Sequence, residues 1–136
     1  MSVTIRQARH EDLHVIVEYN QRLASETEGK SLPSEIITAG VDALLKDDRK
    51  GFYLLAEKEG QIVGQLMITT EWSDWRNGWM WWVQSVYVHP DHRRQGVYRR
   101  LYEEIVSQAQ AREDVAGIRL YVEKDNHRAQ QTYQSL

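Results

Sequence analysis

The central part of the chain carries a buried strand followed by an amphipathic helix. Apolar residues occupy both faces over Met80–Val83 and Val86–Val88, which predicts a strand covered on two sides. Pro90 ends this strand, because proline has no amide proton to donate to a neighbouring strand. Beyond a basic loop, apolar side chains recur at helical spacing, which predicts a helix with one buried face. Those apolar positions are Val97, Tyr98, Leu101, Tyr102, Ile105, Val106 and Ala109.

The remaining pattern predicts an α/β domain with the element order β-α-α-β-β-β-α-β-α. The other elements are a strand from Val3 to Gln7, helices from His10 to Leu23 and from Pro33 to Leu45, strands over Phe52–Ala56, Ile62–Ile68 and Ile118–Val122, and a last helix from Asn126 to Leu136. We expect a polar loop over residues 25–31 and a Trp-rich turn over residues 71–78. The strand Ile118–Val122 follows a helical crossover, so it should lie parallel to the central strand.

Composition narrows the class of protein. The chain has 136 residues, of which 41% are hydrophobic, and this predicts a single domain over residues 1–136. A net charge of −3 argues against a general nucleic-acid binder. The absence of cysteine excludes disulfides, thiolate zinc sites and cysteine nucleophiles. No signal peptide or membrane-length apolar run is present, so we expect a cytoplasmic domain that binds no membrane.

The basic loop between the central strand and its helix has the features of an anion site. A helix start presents backbone N–H groups, and the helix dipole favours negative charge there. Gly96 lets a ligand approach the backbone, and Arg93, Arg94 and Arg99 surround it. The alternative is a solvated basic loop, and the position at a helix start favours a phosphate or pyrophosphate cradle.

Two motifs carry a family resemblance. Arg93 to Tyr98 fits Arg-x-x-Gly-x-(Gly/Ala) except at Tyr98, and Asn126, Ala129 and Tyr133 form a second pattern downstream. With the element order, they resemble the GNAT N-acetyltransferase superfamily over essentially the whole chain, and its diamine acetyltransferase branch more loosely. The resemblance implies a mixed, mostly antiparallel sheet with two central parallel strands splayed apart and helices on both faces. The family continues with a final strand pair where this sequence ends at Leu136, so we expect an open edge on the last strand unless a partner covers it or the sequence is a shortened form.

The resemblance also implies acetyl-CoA as the co-substrate that donates the acetyl group. Its acetyl carbonyl would accept a hydrogen bond from the Val86 backbone N–H, and Tyr133 would protonate the departing thiolate. Tyr133 could instead be an ordinary core tyrosine, and Asn126 could cap its helix as well as bind the pantetheine arm. The implied coenzyme-binding residues are Val86, Tyr87, Val88, Arg93, Arg94, Gln95, Gly96, Val97, Tyr98, Arg99 and Asn126.

Two local features of the sequence affect the implied coenzyme site. Gln84 and Ser85 interrupt the apolar strand, either as satisfied polar side chains in the core or as a β-bulge that frees the Val86 N–H. The resemblance favours the bulge. Tyr98 stands where the family has Gly or Ala, so we expect it to crowd the phosphate loop.

The acceptor side of the reaction is less defined. A primary amine must lose a proton before it attacks, and the central strand offers no carboxylate to take it. The candidate acids are Glu71, which we take as the base, with Glu26, Glu28 and Asp74, although each also fits a solvated surface position. Trp72 and Gln84 are further candidates for substrate contacts, since an aromatic wall suits a cationic amine. Alternatively, the five tryptophans between residues 72 and 82 pack a hairpin tip or a homodimer contact.

The sequence therefore predicts an N-acetyltransferase that moves acetyl from acetyl-CoA to a small-molecule or protein primary amine by direct attack in a ternary complex. The alternative is a non-catalytic CoA-binding or regulatory module. We expect no metal site, and His89 and His92 should serve structure or capping.

Overall fold

The computed structural model describes residues 3–120, which form eight regular elements. These are β1 (Thr4–Gln7), α1 (Leu13–Glu28), α2 (Ser34–Lys46), β2 (Phe52–Lys58), β3 (Gln61–Ser73), β4 (Gly78–Val88), α3 (Val97–Gln110) and β5 (Val115–Leu120). Short 3-10 turns precede α1 at His10–Asp12 and follow β4 at Pro90–His92. The predicted order is confirmed through β5, and the helix predicted from Asn126 lies outside the described residues.

The five strands form one sheet in the order β1-β2-β3-β4-β5. Neighbouring strands are antiparallel except β4 and β5, which are parallel from Trp79 opposite Val115 to Val83 opposite Leu120. This confirms the mixed, mostly antiparallel sheet, and the parallel placement that the helical crossover predicts. The described pairing with β5 stops at Val83, and β4 continues for the five residues that lead to the basic loop.

Helices cover both faces of the sheet, as predicted. Alternate residues of β2 enter two core clusters, with Leu54 and Ala56 under α3 and with Tyr53 and Leu55 under α1 and α2. Of the two clusters, the one below α3 is the larger. Within the described part of the chain, no helix has the length and apolar character needed to cross a bilayer.

Helix α1 is longer than the sequence pattern indicates. The polar loop expected from residue 25 is wrong for residues 25–28, because α1 continues to Glu28. Gly29 then ends the helix with φ of 64°, and its N–H donates to Ser25 O at 3.1 Å. Polarity alone misled the prediction, since an exposed last helical turn is as polar as a loop. The extension places Glu26 on a rigid element.

The hairpin of β3 and β4 is also longer than expected. The predicted Trp-rich turn over residues 71–78 shrinks to residues 74–77, because both strands extend. Trp72 lies opposite Trp79, and their ring centroids are 5.1 Å apart in an edge-to-face arrangement. Cross-strand aromatic pairs of this kind stabilise a ladder. Trp75 at the turn is 93% exposed.

The amino-terminal strand is fastened by a buried acid. Arg6 of β1 donates two hydrogen bonds to the carboxylate of Asp12, each 2.9 Å long, and its Nε donates to Glu57 on β2 at 3.0 Å. The backbone N–H of Arg9 adds a third bond to Asp12 at 2.7 Å. The hydrogen bonds from Arg6 hold the pKa of Asp12 below its usual value, although burial opposes them.

Candidate functional site

The ladder between β3 and β4 is interrupted by a β-bulge. Met67 lies opposite Gln84 and Gln65 lies opposite Tyr87, so one position of β3 faces residues 85–86 of β4. The extra residue is Ser85, whose φ of 52° is unusual for a residue other than glycine. The bulge interpretation of the Gln84–Ser85 pair is therefore confirmed.

The bulge changes which side chains face each helical layer. Before it, Val83 packs in the cluster under α3. After it, Val86 and Val88 pack against that cluster, while Tyr87 contacts the ring of Tyr19 on α1 at 5.1 Å. One extra residue thus turns the Tyr87 side chain towards α1 and redirects the backbone at Val86.

The loop after β4 delivers the chain to the start of α3 through two left-handed residues. Arg94 has φ of 64° and Gly96 has φ of 82°. The N–H of Arg100 donates to Gly96 O at 3.0 Å and closes the first helical turn. The amides before it point out of the amino end of α3, where an anion is favoured. A Cβ added at Gly96 would meet no atom within 4 Å, so the backbone is open to a ligand here. These features fit the predicted diphosphate cradle.

The three arginines of the loop differ in their surroundings. Arg94 and Arg99 are exposed beside the helix start. Arg93 turns back into the protein, where its Nε donates to Val88 O at 2.8 Å and its Nη2 to Glu26 at 2.7 Å. Its guanidinium also lies 5.2 Å from the centre of the Tyr87 ring. The structure thus places Arg93 between β4 and α1 rather than over the loop.

Tyr98 does not crowd the loop. Its side chain is buried in the core under α3, and its ring lies 6.1 Å from that of Tyr102. The expected obstruction is therefore wrong, because the helical position turns the side chain towards the sheet. Val97 is buried beside it, whereas Gln95 is exposed and donates weakly to Asp91 O at 3.4 Å.

Glu26 is the candidate acid that the fold brings next to the bulge. The Tyr87 hydroxyl donates to its carboxylate at 2.5 Å, and Arg93 donates to the other oxygen. Burial, the largest influence, raises the pKa of Glu26, but the hydrogen bonds from Tyr87 and Arg93 outweigh it and hold the pKa below its usual value. Burial and donation to Glu26 raise the pKa of Tyr87. Glu26 is therefore a carboxylate at neutral pH, with 40% of its side chain exposed.

Other candidates for the acceptor side are spread along the sheet. Glu71 lies opposite Met80, six residues before Val86, which is about 20 Å along a strand. Its carboxylate accepts from the Trp82 indole at 3.1 Å and lies 3.8 Å from Arg119. Trp72 and Asp74 are farther still, at the exposed end of the hairpin.

The remaining acceptor-side candidates have local partners. Gln84 is next to the bulge, where its side-chain amide bonds to the hydroxyl of Thr69. Glu28 forms an exposed ion pair with Lys30 at 3.5 Å. Of the proposed acceptor-side residues, the structure thus brings Glu26 and Gln84 close to Val86. Asn126 and Tyr133 lie outside the described residues.

A buried polar network lies behind the bulge, and the hydrophobic pattern of the sequence does not predict it. Gln65 is completely buried, and its Nε2 donates to the carbonyl of Ser85 at 3.0 Å. Burial raises the pKa of Tyr53, opposed by hydrogen bonds with Asn20 and Ser85. Asn20 donates to the Tyr53 hydroxyl at 3.0 Å. The sequence signal for this network is Gln65 itself, a single amide side chain within the apolar run of β3.

The histidines of the loop have structural contacts. His89 Nδ1 accepts the N–H of Asp91 at 3.1 Å, which confirms its capping role. Among residues 3–120, no group of three or more His, Cys, Asp or Glu side chains is arranged to hold a metal ion.

The chain matches a known protein family over most of its length. The acetyltransferase (GNAT) family matches residues 13–136. The chain belongs to the GNAT acetyltransferase family. A possible acetyltransferase from Clostridium difficile 630 is 47% identical to this GNAT domain, over 99% of this chain and 89% of that chain, with a TM-score of 0.92.

More distant structures share the GNAT fold. A ribosomal-protein-alanine N-acetyltransferase from Brucella melitensis biovar Abortus 2308 is 20% identical over 99% of this chain and 90% of that chain, with a TM-score of 0.81. A predicted acetyltransferase from Clostridium acetobutylicum, solved with acetyl-CoA, is 18% identical over 97% and 88% of the two chains, with a TM-score of 0.76. The comparison with curated proteins gives no match.

Proposed function

We propose that this GNAT domain transfers acetyl from acetyl-CoA to a primary amine by direct attack in a ternary complex. The observation that carries the proposal is the bulge at Ser85 together with the open turn at Gly96. The two lie eleven residues apart on one continuous segment made of the end of β4 and the loop after it. A donor for the acetyl carbonyl and a cradle for the diphosphate are thus parts of the same segment. The acetyl-CoA in the distant Clostridium acetobutylicum structure supports the choice of donor.

The proposed binding mode follows the backbone of β4 and its loop. The amides of residues 95–99 hold the diphosphate, with Arg94 and Arg99 adding positive charge. The pantetheine arm lies along residues 86–88. The Val86 N–H donates to the acetyl oxygen and stabilises the negative charge that develops there as the amine attacks.

The proposed acetyl transfer needs no covalent enzyme intermediate. The amine nitrogen forms a bond to the acetyl carbon, the carbon–sulfur bond breaks, and the sulfur leaves as a thiolate. The ammonium loses one proton to solvent before the attack, and the attacking nitrogen loses a second to solvent as the amide forms. Tyr133 gives its proton to the sulfur and is reprotonated by solvent.

An acetyl-CoA consumption assay against a panel of amines tests the proposal. Polyamines, amino acids, aminoglycosides and amine-bearing peptides form the panel, and the released thiol is read with a colorimetric thiol reagent. The chain has no cysteine, so the protein itself adds no thiol background. We expect release that depends on one amine class. If CoA binds but no amine is acetylated, the alternative of a non-catalytic CoA-binding module replaces this proposal.

Tyr133→Phe tests the proton donor. A phenol with a pKa of about 10 donates readily to a thiolate, and removal of a general acid costs roughly 10²–10⁴ in rate. We therefore expect kcat to fall by about two orders of magnitude with little change in the affinity for CoA. Unchanged turnover in Tyr133→Phe would show that Tyr133 is not the proton donor and only packs in the core.

A further inference from the structure

The completely buried amide of Gln65 requires a physical reason. Gln65 lies in β3 within an apolar run, and its side chain is on the face covered by α1 and α2. Its Nε2 donates to Ser85 O, but its Oε1 is buried without a hydrogen-bond partner among the described residues. An unsatisfied buried polar atom lowers stability, so an apolar side chain would suit this position better if packing were its only role.

The bond from Gln65 fixes one particular peptide unit. Ser85 is the extra residue of the bulge, and its carbonyl is the oxygen of the Ser85–Val86 peptide. In a planar trans peptide, the C=O and N–H bonds point in opposite directions. The Ser85 carbonyl points towards the Gln65 side chain, so the Val86 N–H points away from that side chain.

We propose that Gln65 is a positioning residue that orients the Ser85–Val86 peptide so that the Val86 N–H faces the acetyl carbonyl. This inference rests on the proposed acetyl transfer. Only the Nε2 end of the amide can bond to a carbonyl, because Oε1 is an acceptor, so the contact needs a donor at this position. Donation to the Ser85 carbonyl also polarises the peptide and strengthens the Val86 N–H as a donor.

A second contact holds the same residue from its side chain. Tyr53 is buried on β2 and its hydroxyl bonds with Ser85 and with Asn20. The bulged residue is therefore held at its carbonyl by β3 and at its side chain by β2. Left-handed backbone at a serine is strained, and such a conformation persists only where neighbouring groups fix it.

Gln65→Met tests the inference, because methionine keeps the length of the side chain but cannot donate. Removing an oxyanion donor costs roughly 10²–10³ in kcat, so misdirecting one is expected to cost about 10–100-fold. We expect kcat to fall by that factor, with a KM for acetyl-CoA within about threefold of the wild-type value. Ile68→Val, at a fully buried β3 position on the opposite face, controls for general weakening of the core and should keep kcat.

Binding measurements separate positioning from simple structural damage. Calorimetric titration with CoA and with acetyl-CoA gives the preference of each variant for the acetylated form. Gln65→Met should bind CoA as the wild type does but lose its preference for acetyl-CoA, because only the acetyl group uses the Val86 N–H. Unchanged kcat, or equal weakening of both ligands, overturns the inference.

If Gln65→Met fails to fold, NMR spectroscopy of the wild-type protein tests the positioning role of Gln65 instead. The side-chain amide resonance of Gln65 should shift on addition of acetyl-CoA but not of CoA, since the acetyl contact polarises the shared peptide. Identical shifts with both ligands overturn the proposal. A wild-type protein that transfers no acetyl in the amine panel instead refutes the proposed function, so the two failures are distinguishable.

Discussion

Gly64 determines how closely the start of α3 can approach the sheet. A Cβ added there would lie 2.8 Å from Val97 Cγ1 and 3.5 Å from both Leu101 Cδ1 and Tyr87 O. Carbon atoms prefer separations of about 3.5–4.0 Å, so Gly64→Ala must move the Val97 methyl by about 1 Å. Valine in a helix has one strongly preferred rotamer, so the helix start is expected to move instead. Overpacking of this size costs about 1–3 kcal/mol of folding free energy.

The displacement should also weaken coenzyme binding. Val97 is the first residue of α3, and its amide belongs to the turn that we propose for the diphosphate. CoA binding would have to restore the displaced turn, and each 1.4 kcal/mol of that cost raises Kd tenfold. We therefore expect CoA to bind about tenfold more weakly to Gly64→Ala. Urea unfolding and calorimetric titration measure the two effects on the same preparation.

A second substitution makes the test specific. Val97→Ala removes the methyl group that Gly64→Ala would strike, so the double variant should recover part of the stability and of the CoA affinity. Contacting residues show coupling of about 0.5–3 kcal/mol in such cycles, and we expect at least about 1 kcal/mol here. Strictly additive losses, or wild-type CoA affinity in a destabilised Gly64→Ala protein, would refute the reasoning.

Three further substitutions test the fold. Gly40→Ala in α2 meets no atom within 4 Å and should raise stability by about 0.5–1 kcal/mol in urea unfolding. Gly51→Ala should lower Tm sharply, because its Cβ would lie 2.3 Å from Ile68 O at a φ of 137°; an unchanged Tm would contradict the close approach. Asp12→Asn should lose about 2–3 kcal/mol at pH 7 by weakening the bonds to Arg6. The pKa of Asp12 is lowered in the folded state, so its contribution to stability is present above the ordinary pKa of 3.8 and is lost as pH falls through the lower folded-state pKa. The stability difference from wild type should therefore shrink as pH falls below about 4, and a constant difference would exclude this linkage.

The sequence predicts the fold well where the hydrophobic period is strong. The two-sided apolar run of β4 and the helical spacing of α3 identify both elements and the loop between them. The interruption of β4 by two polar residues left a bulge and a satisfied polar pair open, and the family resemblance favoured the bulge that the structure shows. Such features are local, and local chemistry is what a sequence displays most directly.

The errors concern tertiary contacts. Polarity suggested a loop around Glu26, but contacts with Tyr87 and Arg93 hold it on the last turn of α1. Glu71 stays a predicted base, chosen because the central strand offers no carboxylate, and its distance from Val86 follows from the strand register, which the sequence pattern does not specify. The role of Gln65 depends on the register of β3 against β4, which the sequence pattern does not specify.

The extra residue at Ser85 has a consequence for how sequence changes in β4 are tolerated. In a regular strand, alternate positions keep the same face throughout. In β4, the side chains that face α3 are at odd-numbered positions before the bulge and at even-numbered positions after it. Deleting Ser85 would restore a regular ladder and leave the downstream faces as they are, because Val86 would then follow Gln84 in normal alternation. Val88 would still face α3 and Tyr87 would still face α1, so the core would keep its side chains. A deletion here is therefore expected to remove the redirected backbone at Val86 while the fold persists.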